Sequence, residues 1–222
     1  MSDITSNIIS LKKEIPPYVK LVAVSKSRPV GDILEAYTTG LRDFGENRVQ
    51  ELISKKDDLP SDIEWHMIGH LQTNKVRLVV PFVKLIHSID SFRLLTTVNQ
   101  DALKISKIVD CLLQFHIAVE ETKFGFDIRE ADEMLRSEAF RNLNDVRICG
   151  VMGMATFTVD QNCVRKEFRQ LIDYFKRLKD KYFNDADHFR EISMGMSGDF
   201  RIAIEEGSTM VRIGSVIFGE RK

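Results

Sequence analysis

Leu21-Val22-Ala23-Val24-Ser25-Lys26-Ser27-Arg28-Pro29 is the stretch on which the reading of this chain turns. Four apolar residues stand in a row between Lys20 and Ser25. Such a short run, rich in valine, is expected of a strand buried on both faces, as in a parallel sheet. Arg28-Pro29 then takes the backbone out of regular structure, because a proline disfavours helical geometry at the residue before it. Lys26 therefore stands at the carboxyl end of a buried strand, the end at which parallel α/β folds place their active sites. There it is either a solvated loop side chain or a partly desolvated amine able to form a Schiff base with an aldehyde. The segment alone leaves both open.

Outward from this strand, short apolar segments alternate with helical periods along the whole chain. Strands are expected at residues 21–24, 43–45, 63–68, 85–89, 113–119, 146–151, 191–194 and 210–213. Between them, Ile33, Leu34 and Tyr37 mark a helix stopped by Gly40. Val49, Leu52 and Ile53 mark another, and Val76, Val79 and Val80 a third closed by Pro81. Phe92, Leu95, Val98, Ala102 and Ile105 make an apolar stripe behind Ser91, a suitable N-cap. A longer stripe runs from Val164 to Tyr182 with Asp160 upstream as its cap, and Gly207 stops a short helix through Ala203 and Ile204. Strands alternating with helices imply a parallel sheet. Eight units in this length favour a (β/α)8 TIM barrel over an open doubly wound sheet, whose G-x-G-x-x-G turn is absent. The expectation is one α/β barrel domain over residues 1–222, with a helix over residues 3–13 packed outside it and ended by Pro16-Pro17.

Composition narrows the function. The 222 residues carry 32 basic and 33 acidic side chains, a formal net charge of -1, which leaves no electrostatic footprint for nucleic acid. No apolar run approaches the ~20 residues of a membrane span, and the amino terminus lacks the charged flank and apolar stretch of a signal peptide. Cys111, Cys149 and Cys163 are odd in number and show no C-x-x-C spacing, which points to a reducing compartment, the cytoplasm, without a structural zinc site.

In a barrel, the residues at strand ends share one mouth. Here these are Lys26; Glu46 and Asn47; His66 and, past Gly69, His70; Ser88 and Asp90; the run Glu120 to Lys123; Met152 to Thr156; Ser193 to Asp199; and Arg212 to Ser215. Ser197 and Gly198 are read as opening a helix whose free N–H groups suit a phosphate, and Gly214-Ser215 as a close-approach turn beside it. Each segment could equally be an ordinary cap or turn. Their joint position after the seventh and eighth strands is the recurrent phosphate site of this barrel. A lysine, a phosphate cradle and an inward arginine together suggest pyridoxal 5'-phosphate, with Arg212 facing the ring nitrogen and keeping it unprotonated. The bland alternative for Arg212 is an ion pair with Glu205 or Glu206. His66 and His70 are four apart, but Gly69 and the missing glutamate argue against a metal helix. Cys149 reads as core and Lys176 to Lys181 as a solvated helix face.

Several longer motifs carry a family resemblance. They are Val22-Ala23-Val24-Ser25-Lys26, Phe44-Gly45-Glu46-Asn47-Arg48-Val49-Gln50-Glu51, Trp65 through Lys75, Ser193-Met194-Gly195-Met196-Ser197-Gly198-Asp199, and Gly207 through Gly214. Through them the chain resembles the pyridoxal phosphate homeostasis proteins, the YggS or PROSC family. The resemblance implies a single barrel like the amino-terminal domain of alanine racemase, with Lys26 as the Schiff-base lysine. It implies Asn47 beside the cofactor ring, Ser197 and Gly214 at the phosphate and Arg212 at the ring nitrogen; His70 is counted with them among the cofactor-binding residues. It further implies a carrier or regulator of the cofactor, with pyridoxal-phosphate-dependent apoenzymes as partners, rather than an enzyme. Two departures bear on pocket shape: His116 where asparagine is common, and Gly153-Met154 where a plainer apolar pair is common. The rival is a racemase-like enzyme. It requires a second acid/base on the opposite face of the substrate carbon, and Tyr18, Tyr37, Tyr174 and Tyr182 all lie away from strand ends. The chain ends at Lys222 with no second, β-rich domain, which also favours a monomer.

Overall fold

The computed structural model describes residues 3–118 and 124–220. Within them, eight parallel strands close into a barrel in sequence order. They are β1 (Lys20–Val24), β2 (Asp43–Glu46), β3 (Glu64–Met67), β4 (Leu85–Ile89), β5 (Val109–Phe115), β6 (Val146–Gly153), β7 (Glu191–Ser193) and β8 (Met210–Ile213). Closure is made by β1 pairing with β8, Lys20 opposite Met210 and Ala23 opposite Ile213. The helices are α1 (Asp3–Glu14), α2 (Val30–Thr38), α3 (Val49–Lys56), α4 (Val76–Val79), α5 (Phe92–Leu103), α6 (Ile128–Arg136), α7 (Glu138–Arg141), α8 (Gln161–Tyr182), α9 (Phe200–Glu205) and α10 (Ser215–Phe218). Helix α1 packs on α2 and α10, outside the barrel as its position before the first strand implies. Among the described residues no helix is long and apolar enough to cross a membrane.

Alternation along each strand divides the side chains. Ala23, Phe44, Trp65, Met67, Ile86 and Val211 face the helices and join the large core between sheet and helix ring. Val22, Leu85, Leu112, Cys149, Met152 and Met210 form a smaller separate cluster inside the barrel. Cys149 and Met152, three positions apart, both join that inner set because the β5–β6 register slips between them, Cys111 facing Ile148 but Leu112 facing Gly150. Gly150 is required there: its φ is +153°, and a Cβ would stand 1.8 Å from the Glu191 carbonyl oxygen of β7.

Expected caps form. Ser91 Oγ accepts from Leu94 N–H at 3.3 Å, and Asp160 accepts from Asn162 and Cys163 N–H at the start of α8. The fifth strand begins earlier than its apolar run, at Val109, because polar Asp110 is tolerated at the rim, where it pairs with Arg147 of β6 at 2.6 Å. It also ends sooner, at Phe115 rather than at the expected 119, and only Val119 of the expected strand lies outside the described residues. The sixth strand runs on to Gly153. Helices α6 and α7, unforeseen from periodicity, have a legible signal in Asp127-x-x-Glu130, which forms a capping box.

Candidate functional site

Lys26 stands in the turn that follows β1, half-buried. The turn is clamped on both sides of it. Ser25 N–H donates to Gly45 O at 3.0 Å and Arg28 N–H to Ser25 O at 3.0 Å. Ser25 Oγ donates to the buried Glu46 carboxylate at 2.7 Å. Lys55 Nζ, reaching up from α3, bonds Ser25 O at 2.9 Å, Glu46 at 2.9 Å and Glu51 at 2.6 Å. Glu51 in turn accepts from Ser27 N–H. That bond helps hold Ser27 at φ +62°, a left-handed conformation costly for a non-glycine residue. Glu46 Oε2 is buried with no partner among the described residues, and burial pushes this carboxyl's pKa up. The Phe44-Gly45-Glu46-Asn47 motif is thus partly scaffolding for the lysine.

Lys26 opens into a cavity of about 640 Å³ at the carboxyl ends of the strands. Asn47, Ser197, Arg212 and Gly214 line the same cavity. Ser197 and Gly214 meet: Gly214 N–H donates to Ser197 Oγ at 3.2 Å. A Cβ on Gly214 would lie 3.3 Å from Val24, while one on Gly198 would meet nothing within 4 Å, so the first glycine permits a tight approach and the second leaves the loop open to the cavity. One expectation is corrected here. Ser197 and Gly198 lie in a turn, and α9 begins only at Phe200. Asp199 ties that turn, accepting from Met196 N–H at 2.5 Å.

Arg212 is buried on β8 and makes no bond to Glu205 or Glu206, which pair instead with Arg165 and Arg169 of α8. Its guanidinium donates to Ser193 O at 2.8 Å, Ser193 Oγ at 2.6 Å and Gly153 O at 3.2 Å. Burial lowers its pKa to about 10, so it stays charged at neutral pH. Its hydrogen-bond acceptors are all neutral, and the Asp199 carboxylate lining the same cavity partly offsets the burial of its charge.

His70 does not join this group. It is exposed, pairs with Asp90 at 2.9 Å, packs against Phe124 with the rings tilted by 40° and their centroids 4.7 Å apart, and lines a separate cavity of about 240 Å³ that shares Asn47. Of the two departures, Met154 reaches the large cavity and His116 does not. A Cβ on Gly153 would stand 2.8 Å from Ile117 Cδ1 and 3.0 Å from Leu171 Cδ2, side-chain ends that would have to shift. The run Glu120 to Lys123 lies outside the described residues. His66 and His70 diverge as Gly69 predicts. Asp43, Glu64 and His66 do place ligand-type atoms within 4.8 Å of one another, but Lys20 and Lys84 already pair with the two carboxylates. Burial raises the pKa of the Cys149 thiol to about 12, which keeps it protonated at neutral pH.

Strand-end counting missed Arg28, which lines the cavity and pins the carboxyl-terminal end of the chain through the Gly219 and Glu220 carbonyls. Its place in Lys26-Ser27-Arg28, at one turn, was the available signal.

A closed parallel barrel with lysine, arginine and a two-loop cradle around one mouth defines a class, and the whole chain, residues 1–222, matches the family described as alanine racemase, N-terminal domain. Within that class the chain belongs to the pyridoxal phosphate homeostasis proteins. It is 41% identical to the protein of that name from Aquifex aeolicus, over 91% of this chain and 87% of the relative. It is 35% identical to that from Escherichia coli K12, over 100% and 98%. The structure of PipY of Synechococcus elongatus PCC7942, with PLP bound, is 35% identical, has a TM-score of 0.87, and covers 97% of this chain and 100% of its own. Alanine racemase of Clostridium difficile, 14% identical with a TM-score of 0.79, shares the fold over 60% of its own length.

Proposed function

We propose that this chain is a single-domain protein that binds pyridoxal phosphate and serves its homeostasis, as a holder of the cofactor rather than an enzyme acting through it. The supporting observation is that Lys26, the Ser197–Gly214 contact and buried Arg212 share one cavity. Its volume of about 640 Å³ suits a cofactor-sized ligand. Lys26 holds the aldehyde as a Schiff base, Ser197 and Gly214 hold the phosphate, Asn47 stands beside the ring, and Arg212 faces the ring nitrogen. The bound cofactor supplies an electrophilic aldehyde and an electron-withdrawing ring. Arg212, a donor only, keeps a proton off the ring nitrogen and so weakens the ring as an electron sink.

The racemase-like reading needs two acid/base groups across one carbon. Among the described residues the cavity lining offers Lys26 and the Asp199 carboxylate, which is tied to Met196 N–H, but no tyrosine, histidine or cysteine. One experiment tests both readings. Purified protein titrated with pyridoxal phosphate is expected to gain a visible absorption band, and borohydride should convert it to a covalent adduct that mass spectrometry maps to Lys26 and that Lys26→Ala lacks. The loaded protein should leave the α-proton of alanine unexchanged in deuterated water. A protein that takes up no cofactor sinks the binding reading; rapid exchange lost in Lys26→Ala replaces the holder by an enzyme.

A further inference from the structure

Parallel barrels fill their interior mainly with branched apolar side chains. This one buries His66 of β3, His87 of β4 and Ser193 of β7 without exposure. The three form a line across the barrel. Arg212 Nη1 donates to Ser193 Oγ at 2.6 Å. Ser193 Oγ lies 2.9 Å from His87 Nδ1. His87 Nε2 lies 2.9 Å from His66 Nδ1, and His66 Nε2 lies 2.9 Å from Asp43 Oδ1. Lys20 Nζ ends the line 3.4 Å from Asp43. Lys20 and Asp43 are the first residues of β1 and β2, so the line connects the amino-terminal rim of the barrel with the arginine at its mouth.

The direction of each bond follows from proton counting. Burial holds the His87 ring neutral, and a neutral imidazole has one N–H and one lone pair. A single His66 proton placed at Nε2 serves Asp43 Oδ1, and Nδ1 then accepts. His87 must then donate from Nε2 and accept at Nδ1 from the Ser193 hydroxyl. Every bond runs the same way, from Arg212 through Ser193, His87 and His66 to Asp43. Flipping either tautomer sets two lone pairs against each other.

We propose that Ser193, His87 and His66 are positioning residues for the cofactor site: by committing the Ser193 proton to His87, the relay makes Ser193 Oγ an obligate acceptor and fixes the guanidinium plane of Arg212 that faces the cofactor ring. This rests on Arg212 standing at the ring nitrogen, as proposed above. Packing alone would be served by apolar side chains of similar volume, without a bond direction.

Nitrogen NMR of protein labelled at histidine reads the relay without the cofactor. Both rings are expected as Nε2–H tautomers. In Ser193→Ala, the His87 Nδ1 resonance should move toward that of an unbonded ring nitrogen. Pyridoxal phosphate should bind about tenfold more weakly, the loss of one hydrogen bond to a charged group, and its bound absorption band should shift. Ser193→Thr, which keeps the hydroxyl, should restore all three. An Nδ1–H tautomer at His87 in the wild type overturns the relay even if Ser193→Ala fails to fold. So does a Ser193→Ala protein with unchanged affinity and band. A wild type that forms no borohydride adduct, whatever its tautomers, overturns the cofactor reading and with it the role given to the relay.

Discussion

Ser197 shows how little chemistry a single position needs to carry when its neighbours are placed. Its hydroxyl accepts from Gly214 N–H at 3.2 Å, joining the turn after β7 to the one after β8. Removing it should cost the cradle one neutral hydrogen bond, so Ser197→Ala should weaken pyridoxal phosphate binding about fivefold while leaving the Lys26 adduct intact. Equilibrium titration of the visible band measures this, and unchanged affinity would remove Ser197 from the phosphate site. Lys26 is the contrary case. Its position at a strand end was legible, as a solvated or a reactive amine, but its placement depends on Glu46, Glu51 and Lys55, which clamp the turn around it. Arg212 reads from sequence either as an inward arginine facing a cofactor ring or as an ion-pair partner of Glu205 or Glu206. Only its burial and its bonds to Ser193 and Gly153 separate it from them.

The element least legible in the sequence, α6, is held by one buried carboxylate. Asp132 accepts from Arg136 of its own helix at 3.3 Å, and from Lys181 at 3.1 Å and Arg177, so α6 is tied to α8 by two cations of α8. Burial opposes ionisation of Asp132, but the bonds from Arg177, Lys181 and Tyr182 prevail and lower its pKa to about 2. A folded pKa below the unfolded one gives stability that is present above about pH 4 and lost as pH falls toward 2. Asp132→Asn should therefore destabilise the protein by roughly 2 kcal/mol at pH 7, in the range of the pKa difference converted to energy. The gap to wild type should shrink between pH 5 and pH 2. Urea unfolding across that range checks it; a gap that does not narrow would show that the cations, not the carboxylate's titration, hold α6. The amphipathic pattern of α6 was missed because it is short and mostly charged, and its capping box is a local signal that periodicity does not weigh.

For the whole molecule, the eight strands form one closed sheet, and the cavity at its mouth is lined by residues that follow several different strands. Pyridoxal phosphate at a hundred times its dissociation constant should add about 2.7 kcal/mol by mass action. For a domain of this size that is a rise of roughly 5–10 °C in unfolding temperature by calorimetry; a Lys26→Ala protein that gains as much would show that Lys26 contributes nothing to binding. The barrel and Lys26's place at its mouth were determined by the sequence itself, because parallel strands buried on both faces and alternating with helices leave few packings, and the strand-end positions follow from topology alone. Tertiary structure decided which strand-end residues converge. Ser197, Gly214, Arg212 and Asn47 come to one cavity while His70 turns to Asp90 and a neighbouring one, a choice made by side-chain direction and loop path rather than by order along the chain. It also decided the polar line inside the barrel, since His66, His87 and Ser193 lie on three strands, up to 127 positions apart from Ser193 to His66. Only closure of the sheet brings such distant groups within hydrogen-bond reach.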